Sequence, residues 1–203
     1  MILRGKLLTP APKDEAEHYN YTWWNGRGRR PAQAGYTFLT KDDFAEQIYR
    51  DYPNGVAVEI RGWDFKAGDY CAIGRDGFGW YGNPPKRFPH VGHVAFGTGV
   101  ELGSLVTIDR GSIGDTIVGD HVKIDNGVHV GHNVVIGARS LLTAHCNIGG
   151  SAQIGEDCWI GLGAQIKNQV RIGAGVTVGM GAVVLRDVPH GATVVGNPAR
   201  ILK

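Results

Sequence analysis

The sequence predicts a mainly β fold: a left-handed parallel β-helix, built as a prism of hexapeptide repeats and preceded by a small irregular α+β N-terminal segment. Three observations predict it. Aliphatic residues recur every six positions at Val118, Ile124, Val130, Ile136, Leu142, Ile148, Ile154, Ile160, Ile166, Ile172, Val178 and Val184. Glycine follows the aliphatic residue in eight of these twelve hexads. The fifth position of each hexad is small or β-branched, from Val122 through Ser140, Cys146 and Cys158 to Val188. A period of six fits neither a helix nor a coiled coil; it fits short strands winding round a prism, each coil stacked on the last. The aliphatic residue should point inward, the small residue should fill the space beside it, and glycine is expected to let the backbone turn the corner. Three hexads complete a turn, so residues eighteen apart should lie one above the other.

Composition agrees. The 203 residues suffice for one repeat domain and a modest extra segment, and the 32 glycines, well above the usual ~7%, lie mostly in the repeat. A net charge of +2 gives no basis for binding nucleic acid or an anionic membrane. No apolar run approaches the length of a membrane span, and the N-terminus carries no apolar core of a signal peptide. The three cysteines are an odd count, with Cys146 and Cys158 at inward positions, where a thiol acts as a small hydrophobe. A reduced, cytoplasmic setting is the expectation.

In chain order, residues 1–72 lack the hexad and form a separate segment, a candidate acceptor-binding unit. Within it, Thr40 reads as a helix cap with Asp43 at the third helical position, Phe44, Ile48 and Tyr49 supply an apolar face, and Pro53-Asn54-Gly55 ends the helix. Val56–Ile60 alternates as a strand does. The run Tyr19–Arg30 mixes aromatic rings with arginines, which suits either a small core or a nucleotide base and its phosphates. Residues 73–101 are expected to be a loop and transition, because Asp76–Pro85 is rich in glycine and proline. The β-helix proper is expected over 102–203. Its one slip is the step of ten from Ile108 to Val118, which places four extra residues near Arg110–Asp115. Insertions of this kind project to one face of a solenoid, often the working face. The last strands are expected to cap the open end of the stack.

A repeat of Gly, Val and Ile offers few groups for acid–base chemistry, so its histidines stand out. His132 follows Val130-Gly131 and should point outward near a corner, where a neutral imidazole can take a proton from an attacking amine or hydroxyl. One coil on lies Gly150, whose N–H can approach a reacting carbonyl as an oxyanion donor. Asp125 and Asn126 could orient ligand or imidazole. Zinc chemistry of the γ-carbonic anhydrase kind needs three histidines, two of them five apart; the close pairs here, His129/His132 and His90/His93, are three apart, and no metal is expected.

Asp76-Gly77-Phe78-Gly79, Thr107-Ile108-Asp109-Arg110-Gly111, Asp115-Thr116, Ile124-Asp125-Asn126 and Gly131-His132-Asn133-Val134-Val135-Ile136-Gly137 together resemble the UDP-3-O-acylglucosamine N-acyltransferases of lipid A synthesis, over roughly residues 73–165. The resemblance implies a homotrimer with sites in clefts between prisms, His132 as general base and the Gly150 amide as oxyanion donor. It also implies substrate contacts from Phe78, Arg110 and Asn133 beside Asp125 and Asn126. The sequence departs from that family at Gln169, where a second functional histidine is expected, in its shorter and unlike N-terminal segment, and in lacking a helical C-terminal extension. The ending Val195-Gly196-Asn197-Pro198-Ala199-Arg200 instead resembles acetyl-CoA-dependent hexapeptide acetyltransferases, which implies that Asn197, Pro198, Ala199 and Arg200 lie near the coenzyme A adenine and phosphates. The expectation is a homotrimeric acyltransferase taking acetyl-CoA or another acyl-CoA as donor and a nucleotide-linked amino sugar as acceptor. Acyl carrier protein as donor, sugar O-acetylation and a non-enzymatic scaffold remain the alternatives.

Overall fold

The computed structural model describes residues 58–60 and 64–202; the helix expected at Thr40–Tyr49 and the aromatic–arginine run Tyr19–Arg30 lie outside them. The described residues form strands joined by turns, wound into a left-handed β-helix of three parallel sheets. Sheet A stacks β3 (Ala72–Asp76), β8 (Thr107–Arg110), β11 (His129–Val130), β14 (Asn147–Ile148), β17 (Gln165–Ile166) and β20 (Val183–Val184). Sheet B stacks β1 (Val58–Ile60), β6 (Val94–Phe96), β9 (Thr116–Val118), β12 (Val135–Ile136), β15 (Gln153–Ile154) and β18 (Arg171–Ile172). Sheet C runs from β2 (Lys66–Ala67) through β7 (Glu101–Leu102), β10 (Lys123–Ile124), β13 (Leu141–Leu142), β16 (Trp159–Ile160) and β19 (Thr177–Val178) to β21 (Thr193–Val195), which pairs antiparallel with β22 (Arg200–Ile201) and ends the stack.

The period of six sets the core. The aliphatic residue of each hexad and the small residue four places on are buried, so each sheet contributes one inward ladder; that of sheet A is Ile73, Ile108, Val130, Ile148, Ile166 and Val184. Each such side chain contributes roughly 1.5–3 kcal/mol by burial. Ser140 is the polar exception among the small positions. Its Oγ donates to Gly155 O at 2.8 Å and accepts from Cys158 N at 3.0 Å, so its burial leaves nothing unpaired. Cys71, Cys146 and Cys158 are buried free thiols, and burial pushes Cys146 up to about 12.

Three features differ from the sequence reading. The coils begin earlier than residue 102: Val58–Ile60 pairs with Val94–Phe96, Lys66–Ala67 with Glu101–Leu102, and Ala72–Asp76 with Thr107–Arg110. These steps are 35 or 36 residues rather than eighteen, which hides the period. The glycine-rich stretch inside that coil is not plain loop, since β4 (Trp80–Tyr81) and β5 (Lys86–Arg87) form an antiparallel hairpin. Finally, the hexad glycines do not supply the corner's unusual dihedral. The left-handed residue stands two places later and is often not glycine: His121, Asn133, Arg139, His145, Ser151, Asp157 and Gln169 all have φ between 55° and 64°. The hexad glycine is needed because the next coil is too close. A Cβ on Gly131 would lie 2.8 Å from Gly150 N, and one on Gly155 would lie 2.5 Å from Ala174 N.

This distinction has a measurable consequence. Gly163 has φ +66° and open space around its missing Cβ, so Gly163→Asn should cost under about 1 kcal/mol, asparagine being at home in the left-handed region. Gly155→Asn should cost about 3 kcal/mol through overpacking against backbone that cannot yield. Thermal or urea unfolding of the two variants checks the order.

Candidate active site

The chain leaves sheet A for sheet B at one edge of the prism, and three successive crossings there differ in length. The first, residues 77–93, carries the β4–β5 hairpin; the second, residues 111–115, is the insertion expected from the step of ten; the third is the tight corner Gly131-His132-Asn133. The two insertions therefore stack on the same edge as His132. They are tied together through Val91 N to Ser112 O (2.8 Å), Gly92 N to Gly111 O (3.0 Å) and Arg110 Nε to Gly92 O (2.7 Å). His93 N–H donates to Asp115 Oδ1 at 2.8 Å.

Asn133 joins this assembly to the imidazole. It is buried, with its backbone in the left-handed region at φ 59°. Its Oδ1 accepts from Ser112 N (3.0 Å) and Ser112 Oγ (2.7 Å), its Nδ2 donates to Gly114 O (2.9 Å), and its own N–H donates to Thr116 Oγ1 (2.8 Å). The same Oδ1 lies 2.9 Å from His132 Nδ1. An amide oxygen only accepts, so Nδ1 carries the proton and the Nε2 lone pair is left free. Asn133 was expected to touch substrate; its amide is instead spent on holding the insertion and the imidazole.

Nε2 faces Gly150. A Cβ there would lie 2.7 Å from Nε2, so only glycine leaves the imidazole in place. The eighteen-residue register carries this contact: His129 pairs with Asn147 and Val130 with Ile148, which sets Gly150 above His132. Gly150 O accepts from Gln169 N at 3.0 Å, while among the described residues no acceptor takes the Gly150 N–H. A free amide beside a basic nitrogen is the geometry that an oxyanion donor and a general base require.

The other expected residues divide. Phe78 follows Gly77, whose missing Cβ would meet His132 Cδ2 and His90 Nε2, both at 2.9 Å; the Phe78 ring itself is 86% exposed and packs edge-on against Trp80 at 5.9 Å. Arg110 is anchored on Gly92 O, and burial lowers it from its ordinary value against the pull of Asp76 and Asp115. Asp125 and Asn126 are not brought to His132. They turn the corner from sheet C to sheet A, where Asn126 Oδ1 accepts from Ser104 N at 2.8 Å and Asn126 Nδ2 donates to Asp125 Oδ1 at 2.9 Å. The turn Asn197-Pro198-Ala199 rests on β20, with Val183 N donating to Gly196 O (3.0 Å) and Ala199 N to Val183 O (2.8 Å). Arg200 Nη1 donates to Ala199 O at 2.9 Å. Four strand spacings, about 19 Å, separate this turn, which is the layer beyond β20, from the His132 coil. Among the described residues no group of three or more His, Cys, Asp or Glu could hold a metal ion, and no helix is long and apolar enough to cross a membrane.

Two residues at the site had no role assigned from sequence. Asp109 sits one coil below Gly131. His90, in the hairpin crossing, is buried with its ring centroid 5.4 Å from that of His132 in an edge-on arrangement. Its Nδ1 donates to Phe88 O at 2.8 Å. Only the fold joins these residues to His132, since they stand 23 and 42 positions before it.

Burial lowers His90 below its ordinary value of 6.5, opposed by the Phe88 carbonyl and reinforced by His132. The folded chain thus binds fewer protons there than the unfolded chain, and stability is lost as pH falls below about 6.5 toward the depressed value. The melting temperature of the native chain should drop between pH 7.5 and 5.5, and His90→Gln should flatten that dependence.

Residues 115–150 and 151–186 each match the family Bacterial transferase hexapeptide (six repeats). The chain is 46% identical over 97 residues to a UDP-3-O-acylglucosamine N-acyltransferase of Bordetella pertussis, covering 45% of this chain and 27% of that protein. It is 41% identical over 135 residues to the enzyme of that name from Caulobacter sp. strain K31, covering 66% of this chain and 40% of the relative. The chain thus spans well under half the length of these two relatives. The UDP-N-acetylglucosamine O-acyltransferase of Moraxella catarrhalis shares the fold, with a TM-score of 0.64 at 23% identity over 73% of this chain and 58% of that one. The chain therefore carries the bacterial transferase hexapeptide repeat on a left-handed β-helix, and its core is similar to that of the UDP-3-O-acylglucosamine N-acyltransferases.

Proposed function

We propose that this protein is an acyltransferase that moves an acetyl or other short acyl group from a coenzyme A thioester to the amine of a nucleotide-linked amino sugar. The observation that carries the reading is the pairing of a free His132 Nε2 with the open amide of Gly150. The amine nitrogen attacks the thioester carbonyl while His132 Nε2 takes its proton. The Gly150 N–H donates to the oxyanion; the C–S bond then breaks, and the departing thiolate takes the proton back from His132. The hairpin and the 111–115 loop wall one side of this centre. The similarity of the core to UDP-3-O-acylglucosamine N-acyltransferases supports an amino-sugar acceptor.

The turn Asn197–Ala199 supports the choice of donor. It rests on the same sheet that runs past the His132 corner, so a thioester arm can lie along the outward residues Asn147 and Gln165 between the two. The working unit is a homotrimer with this edge facing a neighbouring subunit, and exposed Leu162 and Met180 on successive turns of another edge suit such contacts. Reduced thiols and these substrate classes fit a cytoplasmic setting. The second reading is a longer acyl group delivered by acyl carrier protein; similarity to acyltransferases supports an acyl donor of either kind.

His132→Ala should lower thiol release by about 10²–10⁴-fold while the oligomer is retained. Near-native turnover in that variant would remove His132 as the base. Parallel assays with acetyl-CoA and with acylated carrier protein, each with uridine diphosphate amino sugars, separate the donors, and release from the carrier protein alone selects the second reading.

A further inference from the structure

We propose that Asp109, held beside His129, is a positioning residue that supplies the negative counter-charge for His132 when the imidazole takes up a proton. The proposal rests on the acyl-transfer reading only for its consequence in turnover; the pairing itself is a property of the fold.

Sheet A places Asp109. Thr107 pairs with His129 and Ile108 with Val130, so Asp109 lies directly beneath Gly131, at the start of the His132 corner. On its other side it pairs with Arg75 of β3, and Asp76 is the next residue of that strand. The charged and titratable groups that face it are thus Arg75 and Asp76 below, and His129 and His132 above. Asp109 Oδ2 is 3.9 Å from His129 Nε2, and His129 Nδ1 is 2.8 Å from Thr107 Oγ1. A carboxylate beside Nε2 favours a proton there, so Nδ1 accepts from the threonine hydroxyl and the ring stays fixed.

A structural role does not account for this carboxylate. Asp120 Oδ1 accepts from Thr98 N at 2.7 Å, Asp187 Oδ1 from Arg171 N at 2.8 Å, and Asp157 pairs with Arg139. Each of these acids satisfies backbone or a cation. Among the described residues the Asp109 carboxylate accepts no hydrogen bond, although only 18% of its side chain is exposed. Burial raises it above its ordinary value of 3.8, with His129 and His132 pulling it back down. Ionised Asp109 therefore costs stability: the cost sets in as pH rises above 3.8 and persists at neutral pH. A charge kept at such a position, aimed at imidazoles, is the pattern of a group retained for chemistry.

In the reaction the amine proton moves to His132 Nε2 and leaves an imidazolium at the corner whose first residue, Gly131, stands over Asp109. The attraction stabilises that state until the proton passes to the departing sulfur. No bond to Asp109 forms or breaks.

The experiment uses the full chain and its Asp109→Asn and Asp109→Glu variants. The first readout is the pH titration of the His132 imidazole by NMR, assigned with His132→Gln and needing no substrate. The midpoint should move to lower pH in Asp109→Asn, because a neighbouring negative charge is removed, and Asp109→Glu should recover part of the shift. Turnover should fall about 10- to 100-fold in Asp109→Asn, with KM for the acceptor little changed, while the melting temperature at pH 8 is equal to or above native. An unmoved His132 midpoint overturns the proposal. So does a loss of turnover that tracks a fall in melting temperature with no shift of the midpoint. A shifted midpoint in a chain inert toward every thioester upholds the pairing and sinks the acyl-transfer reading instead.

Discussion

Each coil hands its backbone N–H groups to the carbonyls of the next, as Gly131 does to Ile148 O at 2.9 Å and Gly149 to Ile166 O at 2.9 Å. This repeated bond is the constraint on which the molecule depends. It holds neighbouring strands at the ordinary spacing of about 4.8 Å, and at the corners that leaves no room for a Cβ on Gly131 or Gly155. It also fixes which residue stands over which. The contact between His132 and Gly150 follows from the same ladder that builds the core, with no special element devoted to it.

Where the ladder is regular, the sequence is transparent. The inward aliphatic residues, the small residues beside them and the placing of Gly150 over His132 are all legible, because one period of six dictates them. Legibility fails where that period is interrupted. The coil containing Val58–Ile60 and Ala72–Asp76 is hidden because the hairpin crossing stretches its step to 35 or 36 residues. Asp125 and Asn126 sit close to His132 along the chain, yet they belong to another edge of the prism. His90 and Asp109 are remote along the chain and adjacent in space. By sequence alone the glycines suit a flexible corner, while their cause is the next coil's backbone.

The site also shows how a regular scaffold gains irregular chemistry. Asn133 occupies a corner position like Arg139 or Ser151, with the same left-handed backbone. What distinguishes it is that two insertions meet its side chain, one directly through Ser112 and Gly114 and the other through Val91 and Gly92. The amide then passes the resulting order to the imidazole. A buried polar group with all its partners is rigid, and here rigidity decides which ring nitrogen is left free.

His132 stands in the middle of the stack, with β14, β17 and β20 beyond it on sheet A and β8 and β3 before it. In a solenoid each coil holds only its neighbours, so opening begins at an end and travels inward. The last coils can therefore fray, from Ile201 back toward Val183, without disturbing the imidazole or its amide support. The centre would be reached only after the strands that carry Gln165 and then Asn147 had come away. The regular coils on the C-terminal side are thus a buffer: they shield a fixed geometry from fraying at that end of the stack.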